Sequence, residues 1–401
     1  MAQNTGLKQV IIVGAGPSGL ILGILLAKAG IHVLLLEQSA ELDTNPRAAH
    51  YAPSTVRELR RCGLLKEVQE AGYMPQGVCW RTPEGGILAG ISPDPSYEDA
   101  MVCLPLDKLI AILSRNLQRP HSSEIRFNHR VIDIEQDDKQ AKVIVETDKG
   151  VVTLEADFVI GCDGANSLVR KSLYGDEFQG ETLRSQIIAT NIYYDFHKFG
   201  YWDSQFILHP QNWYLAAKIT LDGLWRVTYG DIPGLTNEEY LERNAQRFAE
   251  ILPGKPKPED YKIANISPYK LHQRCVPSMR VGRVLLAADA AHLCNPFGGL
   301  GLTGGIADIS SLFDCLLAIH ERHADDSILD KWSEVRIRKW REIIDPMSRA
   351  NFRRLWDNEV LEERDRFFDM CRRITQGGEG RQAYRAATYI LDEDMSKYFK
   401  K

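Results

Sequence analysis

The 401-residue chain has eight cysteines, at 62, 79, 103, 162, 275, 294, 315 and 371, yet no Cys-x-x-Cys pair and no Cys/His spacing that would hold zinc. That scatter speaks against a metal or a dithiol motif and predicts a reducing, cytoplasmic setting. A positive charge excess is also lacking. The formal net charge is -5, which gives neither nucleic acid nor an anionic membrane surface a reason to bind. The apolar stretch from Val10 to Leu36 is not a membrane span, because Gly14, Gly16, Pro17, Gly19 and Lys28 interrupt it. Internal repeats and low-complexity segments are missing too. What remains is an ordinary globular composition, 44% hydrophobic and 26% charged, in a length that predicts two or three domains of about 100–200 residues each.

Two glycine-rich turns stand out in what is present. The first lies in "VIIVGAGPSGL", residues 10–20, where a β-branched run meets Gly14-x-Gly16-x-x-Gly19 and a helical pattern follows to about Ala29. Gly14 permits a tight turn, Gly16 lets the backbone approach a pyrophosphate, and Gly19 allows close packing of helix on strand. The helix start would offer N–H groups to the phosphates. A second apolar strand ends at Glu37, where a carboxylate accepts hydrogen bonds from an adenosine ribose. An acid at that place favours FAD or NAD over a 2′-phosphorylated nucleotide.

The second turn comes some 280 residues later, in "LLAADAAHLCNPFGGLGLTGG", residues 285–305. An apolar strand stops at Asp289, and Pro296, Gly298, Gly299 and Gly301 lead into another helical stretch. Between the two turns, "DFVIGCDGANSLVRKSL" (157–173) again runs an apolar strand into Asp163, Gly164 and Ser167. As isolated residues, Asp163 or Ser167 would cap the following helix.

In this order and separation the three segments resemble those of the class A, 4-hydroxybenzoate-hydroxylase-like FAD-dependent monooxygenases, over roughly residues 8 to 355. The resemblance implies an α/β fold: a Rossmann-like FAD-binding domain, an antiparallel-sheet substrate domain and C-terminal helices. The FAD-binding part would be discontinuous, at 1–75, 102–180 and 268–345. Residues 76–101 and 181–267 would form the substrate sheet, and 346–401 a helical tail. The family's pattern places Asp289 on a ribityl hydroxyl, and Pro296, Gly299, Gly301 and Leu302 at the isoalloxazine. It places Arg47, in "NPRAAHYAP", beside the flavin, and Asp163 of the Asp-Gly segment among the residues that bind FAD. Helix-start N–H groups would stabilise negative charge on the flavin pyrimidine ring. Four positions depart from the family's habit: Ala288 for glycine, Leu300 for glutamine, Thr303 for asparagine, and Leu106 where Gln or Arg often touches the cofactor.

The activity implied is hydroxylation of a phenolic or hydroxybenzoate-type molecule with NAD(P)H and O2, through a flavin C4a-hydroperoxide. If the attacked carbon bears a carboxylate, carbon dioxide would leave. With only one complete dinucleotide fingerprint, NAD(P)H would bind transiently. A phenol needs a base or a proton relay. The strand-like runs between 181 and 267 supply His209, Tyr193 and Tyr229 as catalytic candidates, with Tyr194, Trp213, Tyr214 and Arg226 as further lining; His292, next to the second turn, is a weaker candidate. Alternation sets Trp213 and Tyr214 on opposite faces. The chain lacks the Trp-x-Trp-x-Ile-Pro segment of flavin halogenases and the second Gly-x-Gly-x-x-Gly of Baeyer–Villiger enzymes. An FAD oxidase or dehydrogenase, or a non-catalytic nucleotide-binding protein, stays open, as does a monomer against a homodimer.

Overall fold

The structure is a computed structural model that describes residues 6–46 and 50–399. The stretch read as strand, turn, helix, strand is β1 (Gln9–Val13), α1 (Pro17–Lys28) and β2 (His32–Leu36). The strands run parallel, and four of the five residues in each are buried. Continuous Val/Ile/Leu runs are what a parallel sheet covered on both faces requires. β7 (Ser123–Arg126) adds to the β2 side; β11 (Phe158–Gly161), β18 (Val284–Leu286) and β17 (Arg280–Val281) extend the other, in the order β17-β18-β11-β1-β2-β7. The pairings Val13↔Gly161 and Gly161↔Leu286 are parallel neighbours. The three strands that precede the three motifs thus end side by side, and the turns after them open on one edge of the sheet, where nucleotides bind in open α/β sheets.

A helical layer packs on this sheet. α1 lies against α4 (Leu106–Leu117) and α7 (Leu300–His320), with α2 (Pro53–Cys62) and α3 (Leu65–Ala71) beside them. α7 is long and apolar enough to cross a bilayer by composition, but 72% of its most apolar stretch is buried among these neighbours. The meander β8 (Arg130–Gln136), β9 (Ala141–Thr147) and β10 (Gly150–Ala156) contacts β1 and β11, and α5 (Leu168–Tyr174) follows β11.

The second large sheet has eight strands in the order β19-β16-β12-β15-β14-β13-β4-β5. Its centre is β12 (Gly180–Tyr193), β15 (Leu224–Asp231), β14 (Tyr214–Lys218) and β13 (Ser204–Ile207). β4 (Val78–Arg81) and β5 (Ile87–Ile91) close one edge; β16 (Lys262–Cys275) and β19 (His292–Leu293) close the other. Period-2 patterning gives this sheet two different faces. Ile188, Ile192, Tyr214, Trp225, Val227 and Tyr229 point outward and are covered by α6 (Asn237–Ile251) through Tyr240 and Phe248. Ile187, Phe206, Trp80 and Tyr269 point inward and share a cluster with Phe297 of the second glycine turn.

α6 was not foreseen, since 181–267 reads as strands alone. Its signal is Thr236, whose side chain accepts from the Glu239 N–H while Glu239 accepts from the Thr236 N–H, a full capping box. After α7 the chain is helical, as its pattern predicts: α8 (Ile328–Lys339), a π turn at Trp340–Ile344, α9 (Asp345–Trp356), α10 (Leu361–Gln376) and α11 (Gly378–Ala387). The tail then returns to the cofactor side, burying Leu391 and Met395 in the main core.

Because the outward face is sealed by α6, truncating its anchor should leave the cofactor side untouched. Phe248→Ala is expected to cost about 3–5 kcal/mol of stability, read as a lower urea midpoint, with FAD affinity unchanged.

Candidate cofactor and substrate site

The first turn divides its glycines by purpose. Gly14 has φ +105, and a Cβ there would meet the Cys162 carbonyl oxygen at 2.5 Å; a Cβ on Gly19 would meet the Gly14 oxygen at 2.3 Å. The fold itself requires those two. Gly16 has φ -74, and a Cβ there would meet nothing within 4 Å. The fold itself leaves room for a side chain there. No side chain caps the α1 N-terminus at Gly16 or the α7 N-terminus at Gly299, so both starts offer free backbone N–H groups. The start of α1 packs against the second turn of α7: a Cβ on Gly305 in α7 would lie 3.2 Å from the Ser18 hydroxyl in α1 and 2.6 Å from the Ala288 Cβ.

Glu37 ends β2 as expected, and it is tied to the turn: its carboxylate accepts from the Ala15 N–H and the Ser39 N–H, both at 2.9 Å. Asp289, Pro296, Gly298 and Gly299 are exposed, and Gly301 and Leu302 half-buried, in a protein whose neighbouring strand is fully buried. That strip of open backbone at a helix start is wide enough to leave its N–H groups accessible to a ligand. Arg47 lies outside the described residues.

Asp163 is placed differently from its expected role. It accepts from the Leu168 and Val169 N–H groups at 2.7 and 3.2 Å and from the Ser167 hydroxyl at 2.5 Å, so its carboxylate is spent on the start of α5. Burial raises its pKa. Asp163 shapes the turn and does not present a free carboxylate to a ligand.

Behind the second turn sits a fully buried ionic cluster absent from the motif pattern. Asp308 of α7 accepts from His292 Nε2 and from Arg336 Nε, each at 2.7 Å, and from the Ala288 N–H at 3.0 Å. Burial alone would raise the Asp308 pKa, but His292 and Arg336 hold it below the usual carboxylate range. Arg336 also donates to the Leu391 carbonyl at 2.5 Å, which ties the C-terminal tail to the turn. His292 is therefore a structural residue. Ala288 is held at φ +55, a left-handed backbone that explains why glycine is the family's habit there.

The inward face of the large sheet forms a roof opposite this strip. Across it run Ala189, Thr228, Leu215, Phe206 and Trp80 in register, and beside them Asn191, Arg226 and Ala217. Asn191 and Arg226 form a clamp: Arg226 Nε donates to the Asn191 side-chain oxygen at 3.0 Å, and both donate to the Pro46 carbonyl, at 3.0 and 3.2 Å. The roof is thereby bonded to the segment that leads into Arg47.

The three catalytic candidates do not come together. Tyr229 is on the outward face, fully buried against Phe248, with its hydroxyl held by Asn244 at 2.9 Å and its pKa pushed up by burial to about 12. It cannot reach the roof's inner side. His209 caps a loop, its Nδ1 accepting from the Gln211 and Asn212 N–H groups at 3.0 and 2.8 Å. Tyr193 alone has the parity of the inward face, half-buried at the end of β12 near Leu224 and Tyr73. Trp213 and Tyr214 do fall on opposite faces: Trp213 packs edge-on to Phe297 at 5.4 Å, and Tyr214 meets the Tyr201 hydroxyl on the outer side.

Two uncapped helix starts on packed helices, an acid just after β2 and an exposed strip of backbone fit one elongated flavin dinucleotide. Comparison with known proteins agrees. The FAD binding domain family matches residues 8–346. The chain belongs to the class A FAD-dependent aromatic hydroxylases. A para-nitrophenol 4-monooxygenase of Pseudomonas sp. (strain WBC-3) is 36% identical over 351 residues, 86% of this chain and 87% of that one. A 6-hydroxy-3-succinoylpyridine 3-monooxygenase of Pseudomonas putida is 36% identical over 376 residues, 92% of this chain and 94% of that one. The crystal structure of a p-nitrophenol 4-monooxygenase from Pseudomonas putida superimposes with a TM-score of 0.89 at 32% identity, covering 97% and 99% of the two chains. The protein is an FAD-dependent monooxygenase acting on small aromatic molecules.

Two substitutions test this hydroxylase's site. Ala288→Gly relieves the left-handed backbone and should raise stability by about 1 kcal/mol, seen as a higher Tm. Arg226→Leu leaves Pro46 and Asn191 short of a charged partner. FAD affinity should then fall about tenfold by fluorescence titration, with the far-UV spectrum unchanged.

Proposed function

We propose that this hydroxylase uses NAD(P)H and O2 to insert one oxygen into a small ring bearing a hydroxyl, at the carbon para to that hydroxyl, and that the substituent on that carbon leaves. The observation that carries the reading is the roof: an apolar, small-residue centre at Ala189, Ala217 and Leu215, aromatic walls at Trp80, Phe206 and Phe297, and one polar end at Asn191, Arg226 and Tyr193. Such a shape takes a flat ring with a polar group at one end. The names of two relatives support the position. Oxygen enters para-nitrophenol at carbon 4, which bears the nitro group, and 6-hydroxy-3-succinoylpyridine at carbon 3, which bears the acyl group. Both carbons lie para to the hydroxyl. A carboxylate at the same carbon would leave as carbon dioxide.

Bound FAD supplies the redox chemistry, taking two electrons from NAD(P)H and delivering one atom of O2 to the ring. The chain does the rest. Glu37 and the α1 start hold the nucleotide end, and the Gly299 start of α7 presents N–H groups to the flavin end. The roof excludes water and fixes the ring, and the Asn191–Arg226 clamp holds the roof to the cofactor segment. All eight cysteines are free, and seven are buried, consistent with a reducing setting and with no thiol in the chemistry.

The test is NAD(P)H consumption by the FAD-loaded protein with a panel of para-substituted phenols and 6-hydroxypyridines. With para-nitrophenol the expected outcome is one NAD(P)H and one O2 consumed per nitrite released, with water and a quinone-level ring product. Hydrogen peroxide with an unchanged ring across the panel would replace this reading with an oxidase.

A further inference from the structure

We propose that His50 is the base that takes the proton from the substrate's ring hydroxyl, with Nε2 as the accepting atom. The inference rests on the proposed function and names the residue that function still lacks. His50 and Tyr51 form the short strand β3 (His50–Tyr51), which pairs antiparallel with β6 (Val102–Cys103) so that His50 faces Cys103. Successive side chains of a strand point to opposite sides, and directly paired ones share a side. Tyr51 points into the main core, fully buried, with its hydroxyl donating to the Leu104 carbonyl at 2.8 Å. Cys103 points the other way, its sulfur 3.6 Å and 3.8 Å from the carbonyl oxygens of Lys218 and Ile219 at the end of β14. His50 therefore projects from the cofactor-binding part toward the polar end of the roof. Four residues earlier the Pro46 carbonyl is fixed to that roof by Asn191 and Arg226. The imidazole stands where the cofactor segment and the substrate sheet meet.

Nε2 is buried and has no hydrogen-bond partner among the described residues. Native proteins rarely leave a buried polar atom unpaired, so a missing partner is a reason to look for a ligand. Burial pulls the His50 pKa down to about 4, and the nearby Asp203 carboxylate opposes that shift. At neutral pH the ring is uncharged, and with its proton on Nδ1 it has a lone pair at Nε2. The other titratable groups at this end of the roof include Asp203, with Lys218 and His197 on its carboxylate, and Tyr73, Cys103, Tyr193 and Arg226.

The step balances within the substrate and the imidazole. The phenolic O–H bond breaks, its proton goes to Nε2, and its electron pair stays on oxygen as the phenolate. That pair feeds the para carbon as the new C–O bond forms there. A phenolate beside the ring favours the charged imidazolium, which restores the basicity that burial removes from the empty site. Burial thus keeps His50 ready as a base, and only a bound phenol makes it a strong one.

The experiment uses the FAD-loaded protein and para-nitrophenol, whose phenolate is yellow and whose neutral form is not. Without NAD(P)H, equilibrium difference spectra read the ionisation of the bound ligand directly, at a pH equal to the free ligand's own pKa. Wild type is expected to bind it almost wholly as phenolate. His50→Phe and His50→Gln are expected to bind it as the neutral phenol, retain their flavin absorbance, and hydroxylate about 100-fold more slowly or worse. If either flavin-loaded variant binds the phenolate to the same extent and turns over at the wild-type rate, His50 is not the base. Wild type that neither binds nor hydroxylates any phenol in the panel removes the proposed function and this inference together. Wild type that does both, with variants unaffected, removes this inference alone.

Discussion

The start of α1 packs against the first turns of α7, and the whole site depends on that adjacency. A flavin dinucleotide carries phosphates in its middle and an electron-accepting ring at one end, and both gain from backbone N–H groups aimed at them. The chain has two uncapped helix starts, one for each under the proposed reading. Residues some 280 positions apart are brought together because β1, β11 and β18 are neighbouring parallel strands that end at one edge. The missing Cβ of Gly305 then lets α7 approach Ser18 and Ala288 within van der Waals reach. A larger residue at 305 would push the two helix starts apart, and no rearrangement of loops would restore the spacing a single cofactor needs.

The second constraint is ionic. Asp308, His292 and Arg336 are buried together with no water-facing member, an arrangement whose desolvation cost is offset mainly by the two ion pairs on the Asp308 carboxylate. Removing one partner would leave a buried charge, so the cluster is a rigid joint and a poor source of net stability. Its use is positional. Through the Ala288 N–H it holds the backbone next to Asp289 in a left-handed turn, and through the Leu391 carbonyl it fastens the tail to the same point. The C-terminal segment thereby becomes part of the cofactor side's support, and it also touches the second turn directly, Asn351 donating to the Phe297 carbonyl and Phe352 stacking on the Phe297 ring.

Much of this was legible in the residues, for physical reasons. Gly14, Gly19 and Glu37 are dictated by backbone geometry over a few positions, so local pattern suffices to place them, and the same holds for the Pro296 to Gly301 turn. The roof's alternation was readable at Trp213 and Tyr214. Long-range packing was not. Tyr229 and Tyr193 have the same composition signal, and only the register of β12 against β15 and the cover of α6 decide which faces the cofactor. α6 itself was missed because a Thr-x-x-Glu box is easily overlooked among strand-like runs. Asp163 shows the opposite lesson: a residue that fits a cofactor motif can engage both its carboxylate oxygens at the start of its own helix. His50 carried no signal at all. A lone histidine in a loop is unremarkable until two strands, a tyrosine in the core and a clamp on Pro46 fix which way it points.

The central claim is that two glycine turns hold one FAD. Gly16 and Gly301 test it cleanly, since a Cβ at either meets nothing closer than the Cys294 sulfur at 4.0 Å, and neither has a left-handed backbone. A side chain there would crowd a ligand and little else. The deciding measurement is an FAD titration of wild type, Gly16→Val and Gly301→Val, with the thermal midpoint of each apoprotein recorded beside it. One FAD per chain in wild type, lost in both variants whose apo midpoints stay within a few degrees of wild type, is the result this account predicts. Full FAD affinity in either variant would contradict it.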